Sequence, residues 1–370
     1  MRRTLRRFTL VRSVLALAAL TVPAASLAAQ HLMAIQEVFV GTPSERDNAS
    51  LTPNQRAQYV MLRMTSSAQT LTLNTALRVE DAAGNILGNF GVMSGNVTQG
   101  GSLGCAYPNC PAIVIGTQAA KNLFTFAFDQ IVDAQAGRVA LPAGGGRVCF
   151  TNGTTSVFDC VAWGNFSCTA ANCPGGANAY HAGDLNGNLC ATSFGTPIAP
   201  AGLEFGKSAA RKTFNCATKA NATDFALAFP KPVNNAGANN NTDTDADGLI
   251  DQLDCKRNLN TILWKPIEVT GQRLTGHATS TDQWDSQSSF AGSGVKYDES
   301  RGTLSHLSTF SDDTCHAPGS TTTSATDANV PPAGDGFYYV VRATGGTGCI
   351  GTYGSSTAGA SRDASLTSCP

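Results

Sequence analysis

Short strand-like runs, most of them alternating apolar and polar residues, recur along the first half of the chain. They cover His31–Val40, Gln58–Met64 (QYVMLRM), Thr70–Glu80, Ala112–Gly116 (AIVIG), Gly137–Leu141, Arg147–Thr151 and Val157–Trp163. A period of two sends successive side chains to opposite faces of a strand, so each run predicts a β-strand. Asp81-Ala-Ala-Gly84-Asn85 predicts a turn between two of them. The second half repeats the pattern more sparsely. Ile267–Thr270, Asp282–Asp285, Val295–Gly302 and Phe337–Ala343 (FYYVVRA) read as strands, with a turn at Pro332 and a closing hairpin over 348–354. Tyr339, Val341 and Ala343 share one face of their strand, and Trp284 and Tyr339 read as core residues. No long helical period interrupts these runs. The expected fold is all-β, with two β-sandwiches over 31–236 and 256–370.

Between the two lies a different composition. Residues 234–242 (NNAGANNNT) predict a flexible polar linker, and the linker segment that carries the acidic loop is placed at 237–255. The acidic run that follows places Asp243, Asp245, Asp247, Asp251 and Asp254 at positions 1, 3, 5, 9 and 12, with Gly248 at position 6. That spacing wraps oxygen ligands around a hard cation, and the glycine permits the sharp turn. Five carboxylates in so short a run repel one another without a counterion, so the loop points to Ca2+. In this reading Asp243, Asp245 and Asp247 give side-chain oxygens and Leu249 its carbonyl. Asp251 acts directly or through water, and Asp254 takes the last position. Aspartate is shorter there than the usual bidentate glutamate. The expected affinity is modest, which suffices outside cells, where sites of roughly 10⁻⁴–10⁻³ M still fill. A solvated acidic linker is the competing reading. A faint second acidic turn, Asp184-Leu-Asn186-Gly187-Asn188, reads as an ordinary Asx-type turn.

The N-terminus supplies an address. Arg2, Arg3, Arg6, Arg7 and Arg12 form a charged region, Val14–Val22 a short apolar run, and Ser26-Leu-Ala-Ala29 a small-residue cleavage site. Together they predict a secretory signal over residues 1–29, against an uncleaved anchor as the alternative. The apolar run is too short to span a bilayer, and no later segment is long enough. Removing five arginines from 25 basic residues leaves 20 against 26 acidic ones, a net charge near −6. Such a chain lacks the basic face that nucleic-acid binding needs. All 12 cysteines lie after the leader. In an exported chain they read as disulfides, with zinc-like spacing in Cys105-x4-Cys110 and Cys168-x4-Cys173 as the competing reading. The expected local bridges are Cys105–Cys110, Cys149–Cys160 and Cys349–Cys369.

Three segments carry family resemblances. IQEVFVG at 35–41, QYVMLRM at 58–64, the Asp81 turn and GGGRVCF…FDCVAWG at 144–164 resemble the lamin-tail domain, an immunoglobulin-like sandwich. GKSAARK at 206–212, Asp224-Phe225 and PKPVNN at 230–235 resemble its closing segments, and a Cys/Gly/Asn-rich stretch at about 165–205 interrupts the match. Met61 stands where that family commonly has glutamate, so no family-specific polar contact is implied at that position. The loop at 243–254 resembles a thrombospondin type-3 calcium loop, or one of the two loops of a dockerin. FYYVVRA resembles the sixth strand of a fibronectin type III module. These resemblances imply two immunoglobulin-like sandwiches joined by a calcium-binding loop.

Candidate catalytic chemistry is sparse. His31, His181, His277, His306 and His316 form no HExxH or HxH motif, no nucleophile elbow occurs, and no paired carboxylates stand out beyond the loop. All five histidines read as surface loop residues. Cleavage after Gln30 would expose His31 as the first residue of a β-sandwich, as in copper polysaccharide monooxygenases, although no partner histidine is identifiable. The expected function is non-enzymatic binding or adhesion outside the cell, to an extracellular protein or a polysaccharide. A carbohydrate-binding module is the alternative.

Overall fold

The computed structural model describes residues 33–366 and 369, apart from 47, 49, 65–71, 98–108, 153–155, 168–195, 213–220, 277–278 and 357–359. The leader, His31, His181, His277, Cys105, Cys168, Cys173, the Asp184 turn and most of the Cys/Gly/Asn-rich stretch lie outside the described residues.

The chain is all-β and sandwich-like. The first sandwich pairs a six-stranded with a four-stranded sheet. The larger sheet contains β1 (Met33–Phe39), β2 (Tyr59–Met64), β5 (Ala112–Gly116), β6 (Gln130–Ile131), β9 (Ser208–Arg211) and β10 (Phe225–Ala228). Their order across the sheet is β10-β9-β1-β2-β5-β6. The smaller contains β3 (Thr75–Asp81), β4 (Ile86–Val92), β7 (Gly145–Asn152) and β8 (Ser156–Gly164), in the order β4-β3-β7-β8. Gly137–Leu141, expected as a strand, makes only one isolated bridge, Asn89 to Arg138.

The inner faces meet in a core that contains Ile35, Val38, Val60, Leu62, Ile113 and Ile115 from the larger sheet. Leu77, Val79, Phe90, Val148, Phe150 and Trp163 come from the smaller one. Ile35 and Val38 are three residues apart, which a regular strand would send to opposite faces. A register shift between Ile35 and Glu37 in the pairing with β2 lets both point inward. The larger sheet is covered on its other face as well. Phe39, Tyr59, Met61, Ala112 and Val114 belong to a second core. Two covered faces explain why AIVIG is apolar without interruption and fully buried.

The second core joins both halves of the chain. It also contains Phe124 of α1 (Gln118–Phe124), Leu249, Ile250 and Leu253 of the acidic loop, and Trp264, Trp284, Phe290, Tyr297, Val341 and Ala343. The segment expected to be a flexible linker is therefore tied down at several points, although residues 236–240 are exposed. Asn234 and Asn235 are buried. Asn234 Nδ2 donates to the Ala127 carbonyl, and Asn240 Nδ2 donates to the Phe124 carbonyl at 3.2 Å. Gln252 Nε2 donates to the Leu123 carbonyl at 2.6 Å. The last carbonyls of α1, which have no partner within the helix, are thus satisfied by the linker and the loop.

The C-terminal part holds two three-stranded sheets. One orders β11 (Arg273–Thr275), β12 (Ser280–Gln283) and β15 (Ser324–Asp327) as β11-β12-β15. The other places β13 (Lys296–Thr303) between β14 (Thr314–Ser320) and β16 (Phe337–Thr344). Ile267–Thr270 contributes only an isolated bridge, Glu268 to Arg342. Trp284 is buried just beyond β12, as expected. Tyr339 is half-buried, and its hydroxyl donates to Asp327 Oδ2 at 3.0 Å.

Cys149 and Cys160 sit directly opposite on β7 and β8 and are bonded, as predicted. The Cys349–Cys369 expectation is corrected: Cys349 bonds Cys255, and Cys369 bonds Cys315. Proximity in sequence misled, because the chain end runs back beside β13 and β14, where Arg342 donates to the Cys369 carbonyl. Cys110 is disulfide-bonded, and its expected partner Cys105 lies outside the described residues.

Candidate metal centre

The loop turns where its sequence allows. Ala246 and Gly248 both have left-handed backbone, φ 61° and 101°. Glycine adopts this readily, whereas alanine does so at a cost. The Gly248 N–H donates to Asp243 Oδ2 at 3.0 Å, and the Leu249 N–H donates to Asp247 Oδ1 at 2.7 Å. The Asp251 N–H donates to the Thr242 carbonyl at 2.7 Å and closes the loop. Leu249, Ile250 and Leu253 then plug into the second core, which fixes the loop on a rigid support.

These constraints bring Asp243, Asp245 and Asp247 together, one carboxylate oxygen from each within 4.8 Å of the others. Burial, then the charges of Asp245 and Asp243, push the Asp247 carboxyl up. Asp254 is 7% exposed, and one of its oxygens accepts from the Lys256 N–H. Burial, followed by the charges of Asp247, Asp245 and Asp251, pushes its carboxyl up to about 6. Four buried oxygens have no hydrogen-bond partner: Asp243 Oδ1, Asp245 Oδ2, Asp247 Oδ2 and Asp254 Oδ2. Buried anionic oxygens without donors are costly. Oxygen-only donors of this kind suit a hard divalent cation. Lys231 Nζ stands 3.6 Å from Asp243 Oδ2 but is half-exposed, so it compensates weakly.

Asp251 is placed differently from the rest. Both its oxygens accept from Thr244, Oδ1 from the backbone N–H and Oδ2 from the hydroxyl, each at 2.7 Å. Those hydrogen bonds hold its carboxyl below the usual range. Its present role is to tie the two ends of the loop together. Next to the loop a cleft of about 560 Å³ is lined by Glu37, Arg63, Phe229, Lys231 and Gly248. Glu37 is fully buried there, and burial pushes its carboxyl up to about 7.

Two sequence readings are overturned. His316 is not a surface loop residue: it lies on β14, its Nδ1 2.5 Å from Glu299 Oε2 and its Nε2 3.7 Å from Asp327 Oδ1. Paired carboxylates do occur beyond the loop, because Asp282, Glu299 and Asp327 are all buried in the C-terminal part. They lie on three different strands, so no local spacing marks them. His306 is exposed, at the end of a short 3-10 helix (Leu304–His306). Trp163, Trp264 and Trp284 are all buried, so no tryptophan offers a sugar-stacking platform.

A scan against protein-family models, a search of curated proteins and a search of solved structures each found no match. Fold and site together define an all-β, sandwich-like, disulfide-bonded protein with a carboxylate loop seated in its shared core. Among the described residues no helix is long and apolar enough to cross a membrane.

Proposed function

We propose that the protein is a secreted, non-enzymatic binding or adhesion protein whose two immunoglobulin-like sandwiches are held in register by Ca2+ in the 243–254 loop. The observation that carries this reading is the convergence of Asp243, Asp245 and Asp247 in one short loop, each with a buried, partnerless carboxylate oxygen. Asp243, Asp245, Asp247 and Asp254 would hold the ion. The Leu249 carbonyl completes the set, with Asp251 reaching it through water. The ion's contribution is structural: it neutralises the loop and keeps Leu249, Ile250 and Leu253 seated between the two halves. The disulfides support an oxidising environment.

The test is a thermal melt of the oxidised, processed chain in EDTA and then in millimolar calcium, with an intact mass to locate the N-terminus. A calcium-dependent rise that is absent in D245A/D247A supports the reading. Absence of any shift, with no calcium uptake, sinks it.

A further inference from the structure

The two sheets of the C-terminal part do not meet on apolar residues alone. Asp282 of β12, Glu299 of β13 and Asp327 of β15 are each no more than 3% exposed. From β14 the His316 ring lies against Glu299 Oε2 at 2.5 Å. From β13 itself, Arg301 Nη1 pairs with Asp327 Oδ2 at 2.6 Å, and from β16 the Tyr339 hydroxyl donates to the same oxygen. Gln272, just before β11, donates to Asp282 Oδ2 at 2.5 Å. Asp327 is therefore fully served, and its carboxyl is held well below the usual range, against burial, by these hydrogen bonds and Arg301.

Asp282 and Glu299 are not served in this way. Asp282 Oδ1 and Glu299 Oε1 are buried without any donor, and the Asp282 charge acts on the Glu299 carboxyl. Two carboxylates cannot bond each other unless a proton lies between them. With His316 neutral, three ionised acids against Arg301 alone would leave two uncompensated negative charges in a dry interior.

We propose that Asp282 and Glu299 share one proton that clamps β12 to β13, and that losing it in alkaline medium loosens the C-terminal sandwich selectively. His316 donates from Nδ1 to the other oxygen of Glu299 and so leaves the shared proton on the Asp282 side. Burial, then the neighbouring Asp282 and Asp327 charges, push the Glu299 carboxyl up to about 8. A raised carboxyl binds its proton more tightly folded than unfolded. Its stabilisation is complete below the ordinary value of 4.5 and is lost as pH rises through 8.

The experiment is amide hydrogen exchange and thermal melting of the full oxidised chain from pH 5 to 9 in millimolar calcium, so that the loop carboxylates stay out of the slope. Protection of β12 and β13 should fall about tenfold per pH unit approaching pH 8, after correction for intrinsic exchange. E299Q, which keeps a donor toward Asp282, should abolish that slope and melt above wild type at pH 9. An E299Q protein that retains the wild-type slope, or loses stability equally at every pH, overturns the proposal. If E299Q does not fold, carboxyl-carbon NMR of the wild-type chain decides: a Glu299 midpoint near 8 supports the shared proton, and one near 4.5 rejects it.

Discussion

Arg211 Nη2 lies 2.5 Å from Asp159 Oδ2, with both side chains no more than 2% exposed. The pair joins β9 of one sheet to β8 of the other. Asp159 Oδ2 also accepts from the Ile35 N–H, and Arg211 Nε donates to the Ile35 carbonyl, each at 2.7 Å. The bulged strand β1 is thereby held at the residue where its register shifts. Arg211 also stacks over the Phe225 ring and pairs with Asp224 at 3.5 Å.

Removing Asp159 leaves the buried Arg211 with the longer Asp224 contact in place of its close counter-charge. D159N is expected to destabilise the first sandwich by about 3–5 kcal/mol. R211M/D159L should cost less than the two single changes added together. Chemical denaturation of the four proteins measures the coupling, and strict additivity would contradict it.

The second core makes the acidic loop a structural plug. Ile250 is fully buried there. I250A should cost about 2–4 kcal/mol and lower calcium affinity, because the cavity frees the loop that positions Asp247 and Asp254. An I250A protein with wild-type stability would show that the plug is dispensable.

Cys255 follows Asp254 directly and is bonded to Cys349, 94 residues away. Closing so long a loop constrains the unfolded chain, so C255A/C349A should lose about 4 kcal/mol. C149A/C160A, whose bridge spans 11 residues, should lose less. Denaturant midpoints of the two double variants rank them.

Glu37 has its carboxyl raised from 4.5 to about 7 by burial. Its protonated form is favoured in the fold, so this stabilisation is whole below pH 4.5 and is lost as pH rises through 7. E37Q should match wild type at pH 4 and exceed it at pH 8 by up to about 3 kcal/mol. A melt at each pH checks the sign, and lower stability of E37Q at pH 8 would refute it.

The strands of the first sandwich were legible where a short apolar or alternating run marked them locally. QYVMLRM and AIVIG lie where the pattern placed them, and Cys149 opposes Cys160 across adjacent strands. The acidic loop was legible too, since its aspartates fall within one short stretch of chain. Strand β14 was not, because its Pro318 and Gly319 read as breakers. Nor was the Asp251–Thr244 tie, which depends on how the loop closes.

The sequence by itself determined the all-β class, the acidic loop and the local Cys149–Cys160 bridge, because each depends on residues near one another along the chain. The tertiary structure alone decided that Ile250 plugs a core shared by both halves and that Cys255 reaches Cys349. It also decided that Asp282 and Glu299, on strands of different sheets, are both buried. Those relationships arise when distant strands exclude water from between them, and burial changes what a carboxylate or a cysteine can do only once its neighbours have arrived.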